Sequence, residues 1–263
     1  MPEAVAVAAP VAARVATGRE GVAVGASGTG AHVDLDGFIV SVFGGSSPLL
    51  PNGIAIGRRP AWSRVGERVH VGPGSWGITW RPDAVPVRET RLVSEASVER
   101  GGALLTVHHA APNAASFAGA GLETARTPRG RAGIGRLLAA VEQRDATVAA
   151  EAADLLLGLG PGLTPEGDDL LAASAAVLAA ASHADVAAAL VPGDVRARTS
   201  ALSATLLELA AEGHAPEALR AAFDPAASET DWRTAADRLD RLGASTGRAY
   251  ALAAGASAFL LGQ

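Results

Sequence analysis

The residues best suited to chemistry lie in one segment, residues 158–169, which reads Gly-Leu-Gly-Pro-Gly-Leu-Thr-Pro-Glu-Gly-Asp-Asp. Gly160 and Gly162 allow the backbone to approach a ligand closely or to adopt positive φ. Thr164 followed by Pro165 predicts a helix start, with Thr as N-cap and Pro at the first helical position. Because the free N–H groups and the dipole of a helix start attract anions, the segment predicts a loop that binds a small anion.

Asp168 and Asp169 would lie in the first turn of this helix. Acids there stabilise the helix dipole but repel an anion. They would serve a ligand by holding a divalent cation such as magnesium, with Asp168 as the metal ligand, or by accepting hydrogen bonds from substrate N–H groups. The alternative is an ordinary buried helix whose acidic residues only stabilise it by interacting with the helix dipole. Since neighbouring helical residues point about 100° apart, we expect one carboxylate to face the glycine loop and the Ser245 region, and the other to cap N–H groups or meet solvent.

Two further polar sets are candidates for substrate binding. The first is a predicted face of one helix, because its members recur at i, i+3 or i+4, and i+7; it comprises Arg196, Thr199, Ser200 and Ser203. Arginine and hydroxyl groups can bind a small carboxylate or phosphate. An ordinary solvent-exposed helix face would show the same residue pattern. The second set comprises Ser245, Thr246 and Gly247, which predict another helix start with free N–H groups. Simple capping is the alternative there.

Composition excludes several kinds of chemistry. The chain has no cysteine and no lysine, and all 22 of its basic residues are arginine, so disulfides, thiolate nucleophiles, Schiff bases and a phosphate-binding lysine are ruled out. The net charge of −5 and the absence of a basic, aromatic-rich cluster argue against a nucleic-acid partner. The start of the chain lacks the charge pattern of a signal peptide, and its most apolar stretches are too short to span a bilayer. We expect a cytoplasmic protein with no membrane partner.

The hydrophobic period changes near Pro112. Short β-branched and aromatic runs before it predict strands, and apolar spacing of three to four residues after it predicts helices. We therefore expect an α+β protein, with a β-rich domain (a small barrel or an antiparallel sheet) over residues 1–112 and a helical domain over residues 113–263. The predicted strands lie near residues 21–24, 32–35, 38–43, 69–71 and 76–80. The predicted helices cover residues 134–157, 170–182, 195–212, 232–242 and 249–261, and residues 110–131 are predicted to be a linker.

Three motifs resemble one known family. The glycine-rich segment 158–169, the Thr/Ser-rich segment 199–213 and the Leu-Gly-x-Ser-Thr-Gly segment from residue 242 are similar, in this order, to motifs of a family long described as a domain of unknown function. That family includes a subunit of bacterial oxamate carbamoyltransferase from allantoin breakdown, a branch of purine degradation. Two residues depart from its pattern: Glu166 stands where Ser is common, and Ala249 stands where the family has Asp.

The resemblance implies a carbamoyltransferase, or a subunit of an oligomeric one, that converts carbamoyl phosphate and oxamate to oxalurate and phosphate. In that interpretation Gly160, Gly162 and Thr164 cradle the anion, and Asp168 or Asp169 binds a metal or orients the nitrogen nucleophile. The substrate carboxylate is held by a further set: Arg196, Thr199, Ser200 and Ser203. Partners would be a small anionic metabolite and other subunits of the enzyme. The alternatives are a non-catalytic, metabolite-binding subunit, and a hydrolase or lyase of a small ureido acid.

Overall fold

The computed structural model of the chain describes residues 4–26, 30–44, 49–57, 64–73, 77–78, 86–92 and 100–263. The chain divides into two compact units, Met1–Thr90 and Arg91–Gln263. The strands described form a seven-stranded sheet in the first unit, and the second unit is mainly helical. The expected α+β class is therefore confirmed. Residues 91–112 group with the helical unit.

The sheet of the first unit is mixed. Its strands are β1 (Ala4–Ala8), β2 (Arg19–Ala26), β3 (Gly30–Leu35), β4 (Phe38–Gly44), β5 (Gly53–Ile56), β6 (Arg68–Val71) and β7 (Val87–Arg88), and helix α1 (Ala9–Arg14) follows β1. The strand order is β6-β2-β3-β4-β5-β1-β7. Pairing is antiparallel except between β4 and β5 and between β1 and β7, which are parallel. Of the predicted strand 76–80, only residues 77–78 are described, and Ile78 forms an isolated bridge to Val71.

One face of the sheet builds the core of the first unit. Val33 and Leu35 on β3 alternate with the less buried His32 and Asp34, as expected for a half-buried strand. Val40 and Val42 on β4 join the same cluster. The alternation gives this unit a hydrophobic core of its own, built from residues 4–78.

The second unit consists of helices. Their bounds are α2 (Leu104–Val107), α3 (Ala114–Gly119), α4 (Pro128–Gln143), α5 (Ala146–Leu156), α6 (Glu166–Ala180), α7 (Ala184–Ala189), α8 (Val195–Arg198), α9 (Ala201–Ala211), α10 (Glu217–Ala222), α11 (Glu229–Asp240) and α12 (Thr246–Leu261), with a 3-10 turn at Thr124–Arg126. Among the residues that the structure describes, no helix is both long enough and apolar enough to cross a membrane.

Three predicted elements differ from the structure. The helix predicted over residues 134–157 is two helices, because Arg144 adopts left-handed backbone (φ 54°) and Asp145 then caps α5. The predicted linker 110–131 instead contains α3, the 3-10 turn and the start of α4. The helix predicted over residues 195–212 is interrupted at Thr199, whose extended backbone separates α8 from α9.

Helices α6 and α12 form the centre of the helical core. Both are buried on nearly all sides, and their interface is rich in Ala and Gly, which lets the two backbones approach closely. The buried hydroxyls of Ser174 and Ser257 meet across this interface at 3.0 Å. Close packing of these two helices fixes the N-terminal end of α6 relative to the N-terminal end of α12.

Candidate functional site

The glycine-rich loop before α6 is held in an unusual backbone conformation. Gly158, Gly160 and Gly162 all have positive φ, at 70°, 122° and 99°, a region that side chains other than glycine rarely adopt. A Cβ on Gly160 would come within 2.9 Å of the Glu166 backbone nitrogen, whereas one on Gly162 would meet no atom within 4 Å. Residues 160–163 are exposed. The loop therefore presents its backbone to solvent directly ahead of the helix.

Asp168 connects the loop to the segment between α8 and α9. Its Oδ1 accepts a hydrogen bond from the Gly158 N–H at 2.7 Å, and its Oδ2 accepts one from the Thr199 hydroxyl. The side chain is 1 % exposed. Ser200 strengthens the same connection, because its hydroxyl donates to the Leu163 carbonyl. Asp168 thus holds two distant segments of chain at the start of α6.

Asp169 faces the start of α12. The Thr246 hydroxyl lies 3.1 Å from that of Thr164, and its effect in lowering the pKa of Asp169 places it beside that carboxyl. Asp169 is 2 % exposed, and its Oδ2 is buried without a hydrogen-bond partner among the described residues. The two neighbouring acids do face different surroundings, but the expected division was wrong: Asp168 faces the glycine loop and Asp169 the start of α12, so no single acid faces both. Neither acid meets solvent.

Glu166 is the third buried acid of this turn. Its Oε2 accepts a hydrogen bond from the Thr124 N–H at 2.7 Å, so the 3-10 turn is also tied to the start of α6. Burial raises the pKa of Asp169 well above 3.8, the Thr246 hydrogen bond opposes this, and the charges of Asp168 and Glu166 raise it further. The pKa of Tyr250 is raised well above 10.0 by burial and then by the charges of Asp169 and Asp168. The phenol is consequently held neutral.

Two details of the predicted site were wrong. The N-cap of α6 is Pro165 rather than Thr164, and no side chain caps the helix; the Thr164 hydroxyl instead meets Thr246. The polar row from Arg196 to Ser203 does not lie on one helix, since Thr199 is extended and Ser200 is the N-cap of α9, accepting from the Ser203 N–H at 3.0 Å.

The remaining predicted residues have local structural roles. Arg196 forms an ion pair with Glu208. Ser245 is the N-cap residue of α12, as expected, although its side chain makes no capping hydrogen bond. Gly247 is required by packing, because a Cβ there would lie 1.7 Å from the Leu239 carbonyl oxygen. Ala249, where the family pattern has Asp, is fully buried.

The predicted metal ligand, Asp168, has both carboxylate oxygens occupied by protein donors. Within the described residues, no group of three or more His, Asp or Glu side chains has an arrangement that could hold a metal ion. The acids at the start of α6 bind N–H and O–H groups of the protein instead.

Sequence reasoning missed Tyr250 and the Glu166–Thr124 contact. Tyr250 follows Thr246 by one helical turn, so it lies on the same face of α12, but a single aromatic residue in an apolar helix is typical of a core position. Thr124 contributes a backbone N–H, which carries no sequence signal. The i, i+4 spacing of Thr246 and Tyr250 is the signal that would have identified the tyrosine.

Comparison with known proteins gives one match. Residues 156–257, which contain most of the three motif segments and all of the contacts among them, match the family model described as "Oxamate carbamoyltransferase subunit AllH". A search of curated proteins and a search of solved structures each returned no match. The resemblance inferred from the three motifs is thus confirmed over residues 156–257, which are similar to the oxamate carbamoyltransferase subunit family.

Proposed function

We propose that this chain serves carbamoyl transfer from carbamoyl phosphate to a small oxamate-like acid, as a subunit of an oligomeric carbamoyltransferase. The observation that carries the proposal is the meeting of the family motifs at one place: Asp168 contacts Gly158 and Thr199, while Thr164 contacts Thr246. Residues far apart in sequence that converge on buried polar groups are typical of a ligand site. The family match supports the reaction class.

The reaction needs positioning more than a protein nucleophile. The amide nitrogen of the acceptor attacks the carbamoyl carbon, the C–O bond to phosphate breaks with its electron pair, and the proton lost by the nitrogen ends on the phosphate released. Orientation of the two reactants and hydrogen bonds to the developing negative charge supply most of the rate enhancement in such transfers. A chain without cysteine or lysine is suited to this chemistry.

The geometry refines the roles proposed for individual residues. The exposed backbone N–H groups near Gly160 and Gly162 are the candidate cradle for the phosphate. Thr199 and Ser200 position the loop through Asp168 and the Leu163 carbonyl, and so act on the substrate indirectly. Asp169, with an oxygen still free to accept, is the candidate for orienting the nitrogen nucleophile.

A second candidate is a subunit that binds the metabolite without catalysing its reaction. The observation that favours it is the internal use of the polar groups: Asp168, Thr199 and Ser200 are all hydrogen-bonded within the chain. In this case catalysis would depend on residues supplied by other subunits of the enzyme. The two candidates differ in whether the isolated chain turns over its substrates.

The test is carbamoyl transfer by the isolated chain, followed as phosphate release and as oxalurate formed from carbamoyl phosphate and oxamate. Gly162→Ala strains a loop residue at φ 99° without creating a clash, and Gly193→Ala adds the same methyl group to a second exposed Pro-Gly loop. We expect Gly162→Ala to weaken carbamoyl phosphate binding by about 10-fold or more, the loss of roughly one charge-assisted hydrogen bond, and Gly193→Ala to behave as wild type.

Three outcomes separate the candidates. Turnover by the wild-type chain, lost only in Gly162→Ala, supports the carbamoyltransferase. Saturable binding of carbamoyl phosphate without turnover supports the metabolite-binding subunit. If the wild-type chain neither binds nor converts carbamoyl phosphate, both candidates are wrong.

A further inference from the structure

Asp169 has an unfilled hydrogen-bond acceptor. Its Oδ2 is buried and has no partner among the residues that the structure describes, whereas the neighbouring acids have donors: Gly158 and Thr199 serve Asp168, and Thr124 serves Glu166. Buried polar atoms in native proteins nearly always have a partner, because an unpaired one loses its hydration without compensation. A hydrogen-bond donor from outside the chain would supply the missing partner of Asp169 Oδ2.

The surroundings of Asp169 select the kind of donor. Asp168 and Glu166 are close enough for their charges to act on it, so an anionic group placed there would be repelled. No described cluster of His, Asp and Glu has the arrangement that a metal ion needs. A neutral N–H group meets both conditions, because it donates a hydrogen bond without bringing a negative charge.

Tyr250 provides the complementary group. It lies one turn beyond Thr246 on α12, is 3 % exposed, and is within reach of the Asp169 charge. No described residue hydrogen-bonds its hydroxyl. A neutral phenol donates one hydrogen bond, so an acceptor oxygen and a donor hydroxyl are both available at the point where α6 meets α12.

This pair matches a primary carboxamide, which carries N–H donors and a C=O acceptor on the same carbon. We propose, resting on the function proposed above for the choice of substrate, that Asp169 and Tyr250 bind the carboxamide group of the acceptor and select it over the corresponding carboxylate. Asp169 Oδ2 accepts from the amide N–H, and the Tyr250 hydroxyl donates to the amide carbonyl. A carboxylate in the same place would lack the N–H and would add a negative charge beside three acids.

The experiment compares oxamate with oxalate, two ligands of nearly equal size that differ by one amide. Dissociation constants for both are measured by titration calorimetry for the wild-type chain, Asp169→Asn, Tyr250→Phe and the control Asp231→Asn. The control removes an exposed acid from the first turn of α11, which is at the surface. Circular dichroism establishes that each variant is folded, and if Asp169→Asn fails to fold, Tyr250→Phe alone carries the test.

We expect the wild-type chain to bind oxamate about 100-fold more tightly than oxalate, the upper range for leaving a buried acceptor unpaired. Asp169→Asn should reduce this ratio at least about 10-fold, because its side-chain amide offers a donor as well as an acceptor. Tyr250→Phe should weaken oxamate about 10-fold through the loss of one hydrogen bond. Asp231→Asn should keep the wild-type ratio.

A wild-type ratio in Asp169→Asn, together with wild-type oxamate affinity in Tyr250→Phe, would overturn the inference and would mean that Asp169 holds only a buried water. If Asp169→Asn loses the ratio and Tyr250→Phe loses oxamate affinity but the wild-type chain transfers no carbamoyl group, the carboxamide site stands and the proposed transferase is wrong. If the wild-type chain binds neither oxamate nor carbamoyl phosphate, both are wrong.

Discussion

Two of the described helices of the second unit carry more than one acid in their first turn, and the acids have different roles in the two places. At the start of α11, Glu229 and Asp231 are exposed, and Ser228 caps the helix by accepting a hydrogen bond from the Asp231 N–H at 3.2 Å. At the start of α6 no side chain caps the helix, and the acids of the first turn are buried: Glu166, Asp168 and Asp169.

The partners of the acids differ as well. Those at the start of α11 are local, since Asp231 contacts Ser228 and Glu229 pairs with Arg233. At the start of α6, Glu166 and Asp168 accept hydrogen bonds from residues that are distant in sequence, up to 42 positions away. The same sequence signature can therefore stabilise one helix or assemble a tertiary site, and burial decides which.

Removing Asp168 should give the largest effect. Asp168→Ala leaves the Gly158 N–H and the Thr199 hydroxyl without their acceptor. Hydrogen bonds to a charged group contribute about 1.5–3 kcal/mol each, so we expect the free energy of unfolding to fall by about 3–5 kcal/mol in urea denaturation. Asp231→Ala in α11 is the matched change, with an expected loss of about 1 kcal/mol or less. Similar losses in the two variants would remove the distinction between the helix starts.

A methyl group at Gly167 tests how tightly the start of α6 is packed. A Cβ there would lie 2.1 Å from the Leu156 carbonyl oxygen, so the loop or the helix must shift. We expect Gly167→Ala to lower the free energy of unfolding by about 2–3 kcal/mol. Gly135→Ala, on the exposed face of α4 with no atom within 4 Å, should raise it by about 0.5–1 kcal/mol. A neutral effect at Gly167 would show that this helix start is loosely packed.

The cap of α11 should have a smaller and purely local effect. Ser228→Ala removes the acceptor of the Asp231 N–H, which typically costs about 1 kcal/mol. The change should leave oxamate and carbamoyl phosphate binding at wild-type values, because the described hydrogen bonds of Ser228 are local to α11 and do not include the partners of Asp168. Altered ligand binding in this variant would contradict the separation of the two helix starts.

The smallest expected effect is the change in stability caused by Asp169→Asn near pH 4, and its growth with pH depends on the raised pKa of Asp169. Because the folded chain binds the Asp169 proton more tightly than the unfolded chain, stability contributed by this group is lost as pH rises from about 3.8 toward the folded-state pKa. Asn cannot ionise. The melting temperature of Asp169→Asn relative to wild type should therefore increase with pH, as measured by thermal denaturation from pH 4 to 8. Parallel curves would mean that Asp169 ionises as easily in the folded chain as in the unfolded one.

The sequence was sufficient to predict the fold class, because the apolar period changes from alternation to helical spacing along the chain. It was insufficient where a helix ends without the usual glycine. Apolar residues continue on both sides of Arg144, so one helix was predicted, yet Arg144 ends α4 in left-handed backbone without a glycine. Asp145 then caps α5 by accepting from the Thr147 N–H at 2.7 Å.

The candidate site shows a second limit. Each motif could be recognised from its residues, and the expectation that Asp168 and Asp169 face different surroundings followed from helical geometry alone. The hydrogen bonds of Thr199 to Asp168 and of Thr164 to Thr246 depend on how helices pack, which residue spacing does not contain. The polar row at Arg196 was misread because nothing in its spacing reveals the extended backbone at Thr199.

The contact between Thr164 and Thr246 joins residues 82 positions apart. During synthesis the glycine loop leaves the ribosome well before α12 exists, so the loop cannot reach its final surroundings until residue 246 has been added and α12 has docked on α6. Closing so long a segment also costs chain entropy before the contact contributes any favourable energy. A nascent or partly folded chain would therefore carry the glycine loop without its contact to α12, and the proposed site would be completed in one late step of folding.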